Sequence, residues 1–377
     1  MKLRPFFLAV AAAALVFAAV GCKKKAGAPD PGAAATEAAP PANEPVAPGA
    51  DVYVAGAQKN AHGVVVATLW KNGEAMNLGD GTANTYANSV FVVGTDVYAV
   101  GYEDSEHGEM STAIVMLWKN GQAQRLTSGE TRADAKSVFV SGNDVFVSGY
   151  ETGQDPDSNW AATLWVNGMP RRLSEGGEGD DSANSVFIAS KNVYVAGHRK
   201  SEEGDDEATL WKNGEAQRLS APGANAFATS VFVAGKDVYV AGYEFNEDKK
   251  SIAVLWKNGT AKRYGTWNTA MLAQSMCVSG ADVYVAGSEF NAKGNAVATV
   301  WKNGTAQRLS GESVNAWAQS VAVSGADVYV VGYEWDAQKK GTATLWKNGA
   351  AQRLGDGKSD SWASSVFVVG GGKAAGL

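Results

Sequence analysis

One phrase centred on a tryptophan recurs seven times along this chain and limits what the chain can fold into. The seven tryptophans are Trp70, Trp118, Trp165, Trp211, Trp256, Trp301 and Trp346. They lie roughly 45 residues apart, and a period of that length with several short strands per unit is typical of a β-propeller. The repeat therefore constrains the fold strongly and the function much less.

Each repeat contains four short segments in which β-branched and aromatic residues alternate with others, as they do in strands. We name the segments in chain order: A has the form Ser-Val-Phe-Val, B Asp-Val-Tyr-Val, C Leu-Trp and D Arg-Leu. Tight glycine turns join A to B, and an Asn-Gly pair joins C to D in every repeat. Asn-Gly accepts the positive φ angles of a two-residue hairpin. These pairs are Asn72-Gly73, Asn120-Gly121, Asn167-Gly168, Asn213-Gly214, Asn258-Gly259, Asn303-Gly304 and Asn348-Gly349.

The two ends of the repeat region complement each other. The region begins at Asp51 with a B segment that lacks its A, and it ends with an A segment, 365–369, that lacks its B. The last strand can complete the first repeat and remove both open edges of the array. The sequence thus predicts an all-β, seven-bladed β-propeller over residues 51–370, with four strands per blade and a one-plus-three first blade, followed by a flexible tail, 371–377.

The residues before the propeller predict export and a lipid anchor. Lys2 and Arg4 precede an apolar run, 6–20, which small residues and Cys22 follow. This pattern is typical of a secretory signal, and its Ala-Val-Gly-Cys ending resembles a bacterial lipobox. The resemblance implies cleavage after residue 21, acylation of Cys22 with palmitate-type chains and an Ala/Pro-rich tether over 22–50. An ordinary signal peptide with an incidental cysteine is the alternative.

The repeat layout also resembles the extracellular repeat family named for its His-Ala-Phe motif. The matching stretches are the hairpin at 208–214, Ala-Thr-Leu-Trp-Lys-Asn-Gly, and the loop at 78–81, Leu-Gly-Asp-Gly. The resemblance covers residues 51–370, although the His-Ala-Phe triplet itself is replaced by Ala-Thr or similar residues. Bacterial seven-bladed propeller lipoproteins share the same organisation. Neither resemblance implies a specific chemistry, so they bear on fold and export.

Strand direction places the A–B and C–D turns on one face of the propeller, which we call the constant face, and the longer B–C and D–A loops on the other, the variable face. Loops on a rigid scaffold often carry function, so the variable face is the candidate site. One position at the start of each A segment faces the central channel there, and it changes from repeat to repeat. Its occupants are Tyr86, Asp134, Ser182, Phe227, Leu272, Trp317 and Trp362.

Two interpretations of this arc remain open. Aromatic residues that plug the channel are core residues, whereas exposed rings form a platform for a sugar, a peptide or an apolar ligand. We predict ligand contacts at Tyr86, Phe227, Trp317 and Trp362, with Asp134 as a polar anchor. A second series predicts ion pairs between B-segment glutamates and D-segment arginines, because the first repeat loses both charges together, as Gln58 and Asn77.

The composition offers little for catalysis by known motifs. His62, His107 and His198 are predicted in B–C loops of three different blades, and no nucleophile or phosphate-binding motif occurs. The acidic loops 178–181, 202–207 and 356–360 lack the spacing of a calcium loop. Cys277 has no partner in the propeller and is expected to be a small buried hydrophobic residue. We therefore predict no metal and no cofactor.

These observations predict a non-catalytic, membrane-anchored lipoprotein of the bacterial envelope, on the outer membrane with a periplasmic or surface-exposed domain. The variable face would bind or scaffold a protein, peptide or glycan, and the protein would be a monomer. The net charge of −6 without a basic stripe argues against nucleic acid. The alternative is an enzyme acting on glycans or peptides through carboxylates of that face, namely Glu103, Asp134, Glu151 and Asp181.

Overall fold

The structure, a computed structural model, describes residues 49–107, 110–153, 158–174, 179–355 and 357–370. The predicted signal peptide, Cys22, the tether up to residue 48 and the tail 371–377 lie outside the described residues. In the part of the chain that the structure describes, no helix is long and apolar enough to cross a membrane.

Within the described residues, twenty-eight strands account for almost all of the regular structure. The first fifteen are β1 (Ala50–Lys59), β2 (Val65–Lys71), β3 (Glu74–Asn77), β4 (Thr85–Val93), β5 (Asp96–His107), β6 (Met110–Lys119), β7 (Gln122–Arg125), β8 (Ala133–Ser141), β9 (Asp144–Thr152), β10 (Trp160–Val166), β11 (Met169–Arg172), β12 (Ser182–Ala189), β13 (Asn192–Lys200), β14 (Asp206–Lys212) and β15 (Glu215–Arg218). The others are β16 (Ala226–Ala234), β17 (Asp237–Phe245), β18 (Ser251–Lys257), β19 (Thr260–Tyr264), β20 (Met271–Ser279), β21 (Asp282–Phe290), β22 (Ala296–Lys302), β23 (Thr305–Arg308), β24 (Asn315–Ser324), β25 (Asp327–Trp335), β26 (Gly341–Lys347), β27 (Ala350–Arg353) and β28 (Ser361–Gly370).

The strands form seven antiparallel sheets of four, which are the seven blades. Blade 1 has the order β28-β1-β2-β3, and blades 2 to 7 follow as β4–β7, β8–β11, β12–β15, β16–β19, β20–β23 and β24–β27. The last strand pairs with the first from Ala50 opposite Gly370 to Gln58 opposite Ser361. The predicted seven-bladed propeller and its one-plus-three closure are confirmed.

The Asn-Gly hairpins explain why the constant face is so regular. In blade 5, Asn258 has a φ of 50° and Gly259 a φ of 82°, so both occupy the left-handed region that a two-residue turn requires. The side chain of Asn258 accepts a hydrogen bond from the amide of Val238 at 2.8 Å and donates one to Asp237 at 2.8 Å. The asparagine thus ties the C–D hairpin to the start of strand B, and the same amide contact recurs in all seven blades.

A lysine precedes six of the seven hairpins, with Val166 in its place in blade 3, and in five blades this lysine belongs to the same network. Lys257 lies 2.6 Å from Asp237 and 5.0 Å from the centre of the Tyr239 ring, and equivalent ion pairs form in blades 1, 2, 6 and 7. The hydrogen bonds of Lys257 and Asn258 lower the pKa of Asp237. The lysines therefore offset the aspartates of the turns, so this face does not present a ring of unpaired cations.

The repeated tryptophans pack between blades. Trp118 of blade 2 lies in one apolar cluster with Tyr53 and Leu69 of blade 1, and Trp70 of blade 1 packs with Tyr329 and Leu345 of blade 7. All seven tryptophans are at most 2% exposed. Burying side chains of this size supplies several kcal/mol per blade interface by the usual area relation. This packing explains why the tryptophan is the most regular residue of the repeat.

A ring of serines also links consecutive blades at their innermost strands. The serine hydroxyl of each A segment accepts a hydrogen bond from a backbone amide of the next blade at 3.2–3.4 Å. The last two links pass through the closing strand, since Ser320 accepts from Val366 and Ser365 accepts from Val90. The innermost strands are edges whose amides would otherwise lack partners, and the serines supply them.

A β-bulge follows immediately after each channel-facing position. In blade 3 the register shifts between Ala135 and Ser137, so Lys136 is the extra residue. Opposite the bulge, strand B has a glycine in every blade: a Cβ on Gly149 would lie 1.9 Å from the carbonyl oxygen of Asp134. Only glycine allows this approach. The Gly of the B segment therefore sets the position of the residue that faces the channel.

Lower in the channel, five phenylalanines form a continuous arc. Successive ring centres lie 4.7–5.0 Å apart across the blade boundaries. The rings belong to Phe367, Phe91, Phe139, Phe187 and Phe232. Cys277 and Ala322 occupy the corresponding positions of blades 6 and 7. Cys277 is half-buried. Loss of water around its side chain raises the pKa of the thiol to about 12, so the thiol is neutral at physiological pH.

Candidate functional site

The channel-facing residues lie at the variable-face ends of the seven innermost strands, which we call the channel mouth. Each pairs with one residue of strand B in its own blade. The pairs are Tyr86 with Tyr102, Asp134 with Tyr150, Ser182 with His198, Phe227 with Tyr243, Leu272 with Ser288, Trp317 with Tyr333 and Trp362 with Ala57. The channel mouth is therefore lined by two sets of residues, one from strand A and one from strand B. The sequence analysis had predicted only the set from strand A.

Blades 5, 6, 7 and 1 form an aromatic half of the mouth. The Phe227 ring stacks on Tyr243 at 5.2 Å, and Trp317 meets the edge of Phe290 at 5.4 Å. Trp317 is only 7% exposed, so it packs largely as a core residue. Phe227, Trp362 and Tyr86 are half-buried and retain accessible ring surface. Their predicted role as ligand contacts stays a prediction, and these three have the surface for it.

Blades 2, 3 and 4 form a charged half, with Asp134 at its centre. The Lys136 ammonium forms an ion pair with Asp134 and lies 5.4 Å from the centre of the Tyr150 ring. From blade 2, Asn88 donates hydrogen bonds to Asp134 at 2.8 Å and to the carbonyl of Ala135 at 2.9 Å. The Asp134 side chain is 8% exposed and that of Lys136 29%. The carboxylate is thus enclosed, whereas the Lys136 side chain is partly accessible.

The two charges shift each other's titration. Burial raises the pKa of Asp134, against the opposing effects of Lys136 and Asn88. Burial alone would lower the pKa of Lys136, but the charges of Asp134 and Tyr150 and the hydrogen bond to Asp134 together raise it. Lys136 therefore stays protonated at neutral pH and is the cation that holds Asp134 in place.

A second carboxylate, Asp104, lies near this pair in the second half of strand β5, and the charge of Asp134 acts on it. It accepts a hydrogen bond from the Asn84 amide at 3.2 Å. Burial raises its pKa, and the charge of Asp134 raises it further. Next to it the rings of Tyr86 and Tyr102 stack at 4.7 Å with an angle of 19°. Burial and the Asp104 charge raise the pKa of Tyr86 to about 12, so both tyrosines are neutral hydroxyls.

His198 marks the boundary between the two halves. It lies inside strand β13 and not in a B–C loop, so the predicted loop position was wrong. The strand continues past the position where the repeat pattern had suggested its end. Its ring meets the edge of Phe227 at 4.7 Å. Burial lowers its pKa to about 4, so His198 is neutral at physiological pH and contributes a polar but uncharged group to the mouth.

The predicted glutamate–arginine pairs between strands B and D form in blades 2, 5 and 6, whereas Glu151 of blade 3 accepts a hydrogen bond from Thr131. Arg125 lies 2.8 Å from Glu103, Arg263 2.6 Å from Glu244, and Arg308 3.2 Å from Glu289. In blade 4, where the B strand has Arg199, Glu207 supplies the acid and pairs with both Arg199 and Arg218. These glutamates are therefore structural partners of arginines.

The carboxylates suggested for an enzyme do not form a pair of free acids. Glu103 is occupied by Arg125, Glu151 accepts a hydrogen bond from Thr131 at 3.0 Å, and Asp181 accepts one from the amide of Lys200 at 2.7 Å. The carboxylate that interacts with Asp134 is Asp104, which the sequence analysis missed. The sequence did contain a signal for Asp104: the equivalent position in blades 5, 6 and 7 is aromatic, with Phe245, Phe290 and Trp335, so an aspartate there departs from the repeat.

Metal binding has no obvious location among the described side chains. Within those ranges, no three histidine, cysteine, aspartate or glutamate residues come together as a metal would require. Residues 178 and 356 of the acidic loops lie outside the described residues. The third acidic loop, 202–207, is tied into the blade through Glu207 and its two arginines.

Comparison with solved structures finds propellers of peptidases. A Mycobacterium tuberculosis puromycin-hydrolyzing peptidase matches with a TM-score of 0.56 and 12% identity over 82% of this chain and 52% of that chain. The acylaminoacyl peptidase of Pyrococcus horikoshii matches with a TM-score of 0.51 and 12% identity over 83% of this chain and 52% of that one. A puromycin hydrolase S511A mutant complexed with PGG matches with a TM-score of 0.53 and 13% identity over 81% of this chain and 52% of that chain.

This chain therefore spans about half the length of those peptidases, and at such identity the likeness shows the fold alone. No protein-family model and no curated protein sequence matches the chain. The prediction of a non-catalytic binding or scaffolding module is wrong on this comparison, because the propellers that the chain resembles belong to enzymes. Sequence reasoning had favoured a non-catalytic role over an enzyme because motifs were lacking, and that ground is not sufficient.

Proposed function

We propose that this protein acts in peptide hydrolysis and that the peptide binds at the channel mouth. The observation that carries the proposal is the division of the mouth into two halves. Charged and titratable groups with shifted pKa values, Asp104 and Asp134, lie on one side, and accessible aromatic rings lie on the other. Such a cluster in a concave site is a frequent mark of catalytic and binding sites. The similar solved structures are peptidases, and the proposal extends that activity to this chain.

The two halves suit a peptide because a peptide has both polar and apolar parts. The half-buried rings of Phe227 and Trp362 can cover apolar side chains. The hydroxyl groups of Tyr86 and Tyr102, both neutral, can donate hydrogen bonds to backbone carbonyl groups. Asp134, fixed by Lys136 and Asn88, keeps the polar side rigid, so the peptide would be oriented by preformed groups.

The direct test is hydrolysis by the full chain. We expect purified protein to cleave members of a mixed peptide library, with the products identified by mass spectrometry. Replacing Phe227 and Trp362 together with alanine should lower the cleavage rate roughly a hundredfold or more, since each ring buried against a ligand contributes about 1.5–3 kcal/mol.

The matched control is Met169→Ala, which removes a large apolar side chain that is 64% exposed on the constant face. This variant should cleave peptides at the parent rate, and circular dichroism should show all variants folded. If the full chain cleaves no peptide, or if the mouth variant and the Met169 variant cleave equally, peptide hydrolysis at the mouth is overturned.

We also propose that the protein is anchored by a lipid on Cys22 at the outer membrane of a bacterial envelope, and that its repeats belong with the His-Ala-Phe type of extracellular propeller. The support is the order of charged residues, apolar run and small residues before Cys22, together with the Leu-Trp hairpin in the repeats. A lipid anchor would keep hydrolysis close to the envelope surface.

Replacement of Cys22 by serine tests the anchor. Cells that express the parent chain and are fed an alkyne-tagged palmitate should yield a labelled protein in the membrane fraction. The Cys22→Ser variant should lose the label, while a Cys277→Ser variant should keep it. Equal labelling of the Cys22 variant and the parent would show that the cysteine is incidental.

A further inference from the structure

Asp104 occupies a position that contacts the channel mouth in other blades. In blade 5 the equivalent Phe245 lies 6.1 Å from Phe227 of the same blade, and in blade 6 Phe290 lies 5.4 Å from Trp317 of the next blade. In blade 1 the equivalent Lys59 lies 5.9 Å from the Trp362 ring. For Asp104 the corresponding mouth residues are Tyr86 of its own blade and Asp134 of the next blade: its charge raises the pKa of Tyr86, and the charge of Asp134 raises the pKa of Asp104.

The charge of Asp104 is not balanced like the charges around it. Asp134 has Lys136, and Asp206 has Lys200 at 2.9 Å. Asp104 accepts a hydrogen bond from the neutral amide of Asn84, and among the described residues no cationic side chain lies within ion-pair distance of it. A half-buried carboxylate without a cation has lost part of its hydration, and no ion pair compensates for that loss. A ligand cation would supply the missing charge.

The surroundings of Asp104 also favour a cation of a particular kind. The stacked rings of Tyr86 and Tyr102 provide an aromatic face, which attracts an ammonium group. A compact ammonium can donate hydrogen bonds to the carboxylate and lie over the ring at the same time. The aromatic half of the mouth begins at the adjacent blade 1, so an apolar group attached near the ammonium would reach the rings there.

We propose that Asp104, backed by the Tyr86 ring, binds the primary ammonium of a peptide, in the first place its free amino terminus. This subsite rests on the proposed function for the identity of the ligand as a peptide. It assigns a direction to the bound chain, with the amino-terminal end over blade 2 and the following apolar side chains on the aromatic half. The substrate class is accordingly peptides with an unblocked amino terminus.

Isothermal titration calorimetry on the full chain tests the subsite separately from hydrolysis. Three probes are needed: a short amide peptide of phenylalanine and alanine with a free amino terminus, its N-acetyl form, and an N-acetyl form with a lysine at the first position. We expect the free form to bind roughly tenfold to a hundredfold more tightly than the acetylated form, since hydrogen bonds between charged groups carry that much. After each titration, mass spectrometry of the solution from the calorimeter cell records any cleavage of the probe.

Asp104→Asn should abolish the preference for the free amine, and the matched control is the neighbouring Glu103→Gln, whose side chain pairs with Arg125. The preference should grow as the pH rises through the pKa of Asp104, which burial holds above the ordinary value of 3.8, because only the ionised carboxylate attracts ammonium. Tight binding of the lysine probe would show that the site reads any ammonium and not the terminus in particular.

The outcomes separate the two proposals. Preference for the free amine that depends on Asp104, without any cleavage, supports the subsite and overturns hydrolysis. Cleavage that ignores acetylation and the Asp104 variant overturns the subsite and leaves hydrolysis standing. Tight binding of the lysine probe overturns the assignment to the amino terminus. If none of the probes binds, the ammonium subsite is overturned.

Discussion

Replacing Lys136 with methionine is expected to lower the free energy of unfolding by about 3 kcal/mol. Methionine keeps the apolar stem but removes the charge, so the enclosed carboxylate of Asp134 loses its cation and retains only Asn88 as a polar partner. Breaking a buried pair costs about 3–5 kcal/mol, and the lower end applies here because the Lys136 side chain is 29% exposed. Urea denaturation followed by tryptophan fluorescence measures the change.

Two further variants show whether the loss of unfolding free energy comes from the carboxylate of Asp134 left without its cation. Lys257→Met removes a lysine of the exposed constant-face network and should change stability by about 1 kcal/mol or less. The double variant Asp134→Leu with Lys136→Met replaces the pair by apolar groups and should recover most of the loss. If Lys136→Met costs no more than Lys257→Met, the pair does not matter for stability.

The pH dependence of the Lys136 variant has a definite sign. Burial already raises the pKa of Asp134 above that of the unfolded chain, and removing Lys136 raises it further. A group whose pKa is raised on folding binds more protons in the folded state, so its contribution to stability is present at low pH and is lost as the pH rises through the folded pKa. The difference between the variant and the parent should therefore shrink as the solution is acidified.

The sequence was sufficient for the fold because the fold depends on features that repeat. The period, the Asn-Gly hairpins and the complementary ends each recur or match in a countable way, and each was confirmed. The glutamate–arginine pairs were predictable for the same reason: Gln58 and Asn77 replace both partners of one pair together. Because the chain has seven repeats, equivalent positions can be compared with one another within a single sequence.

The candidate site depends on departures from the repeat, and these are harder to interpret. Asp134 was found because it occupies a position that could be followed from blade to blade. Lys136 was missed because it lies on a β-bulge, where one extra residue in strand A turns the side chain away from the alternation that a strand pattern predicts. Asp104 was missed because it follows Glu103, and two adjacent acids in a strand face opposite sides.

Function could not be predicted from motifs because the site has none. Its groups come from blades that are roughly 45 residues apart in the chain, and each blade contributes one or two side chains. No local spacing therefore identifies them, and the shifted pKa values that mark the mouth arise only when the blades close into a ring. The wrong prediction of a non-catalytic module follows from treating a missing motif as missing catalysis.

Removal of the last strand is expected to abolish cooperative folding. A chain truncated after residue 360 lacks β28, which pairs with β1 along its whole length and carries the buried Ala363 and Val366 and the half-buried Phe367. It also loses both serine links that close the ring, at Ser320 and at Ser365. Together these contacts represent several kcal/mol, comparable with the 5–15 kcal/mol that stabilise a whole domain.

The control is truncation after residue 370, which retains β28 and should unfold at the parent midpoint in thermal and urea denaturation. The shorter chain should unfold without a cooperative transition and should aggregate, because the edge of β1 and the first inner strand of blade 2 lose their partners. A synthetic peptide of residues 361–370 added in trans should restore the transition by pairing with β1. Identical midpoints for the two truncations would mean that the ring does not depend on its closing strand, and that the packing of the seven tryptophans between blades is sufficient to hold it.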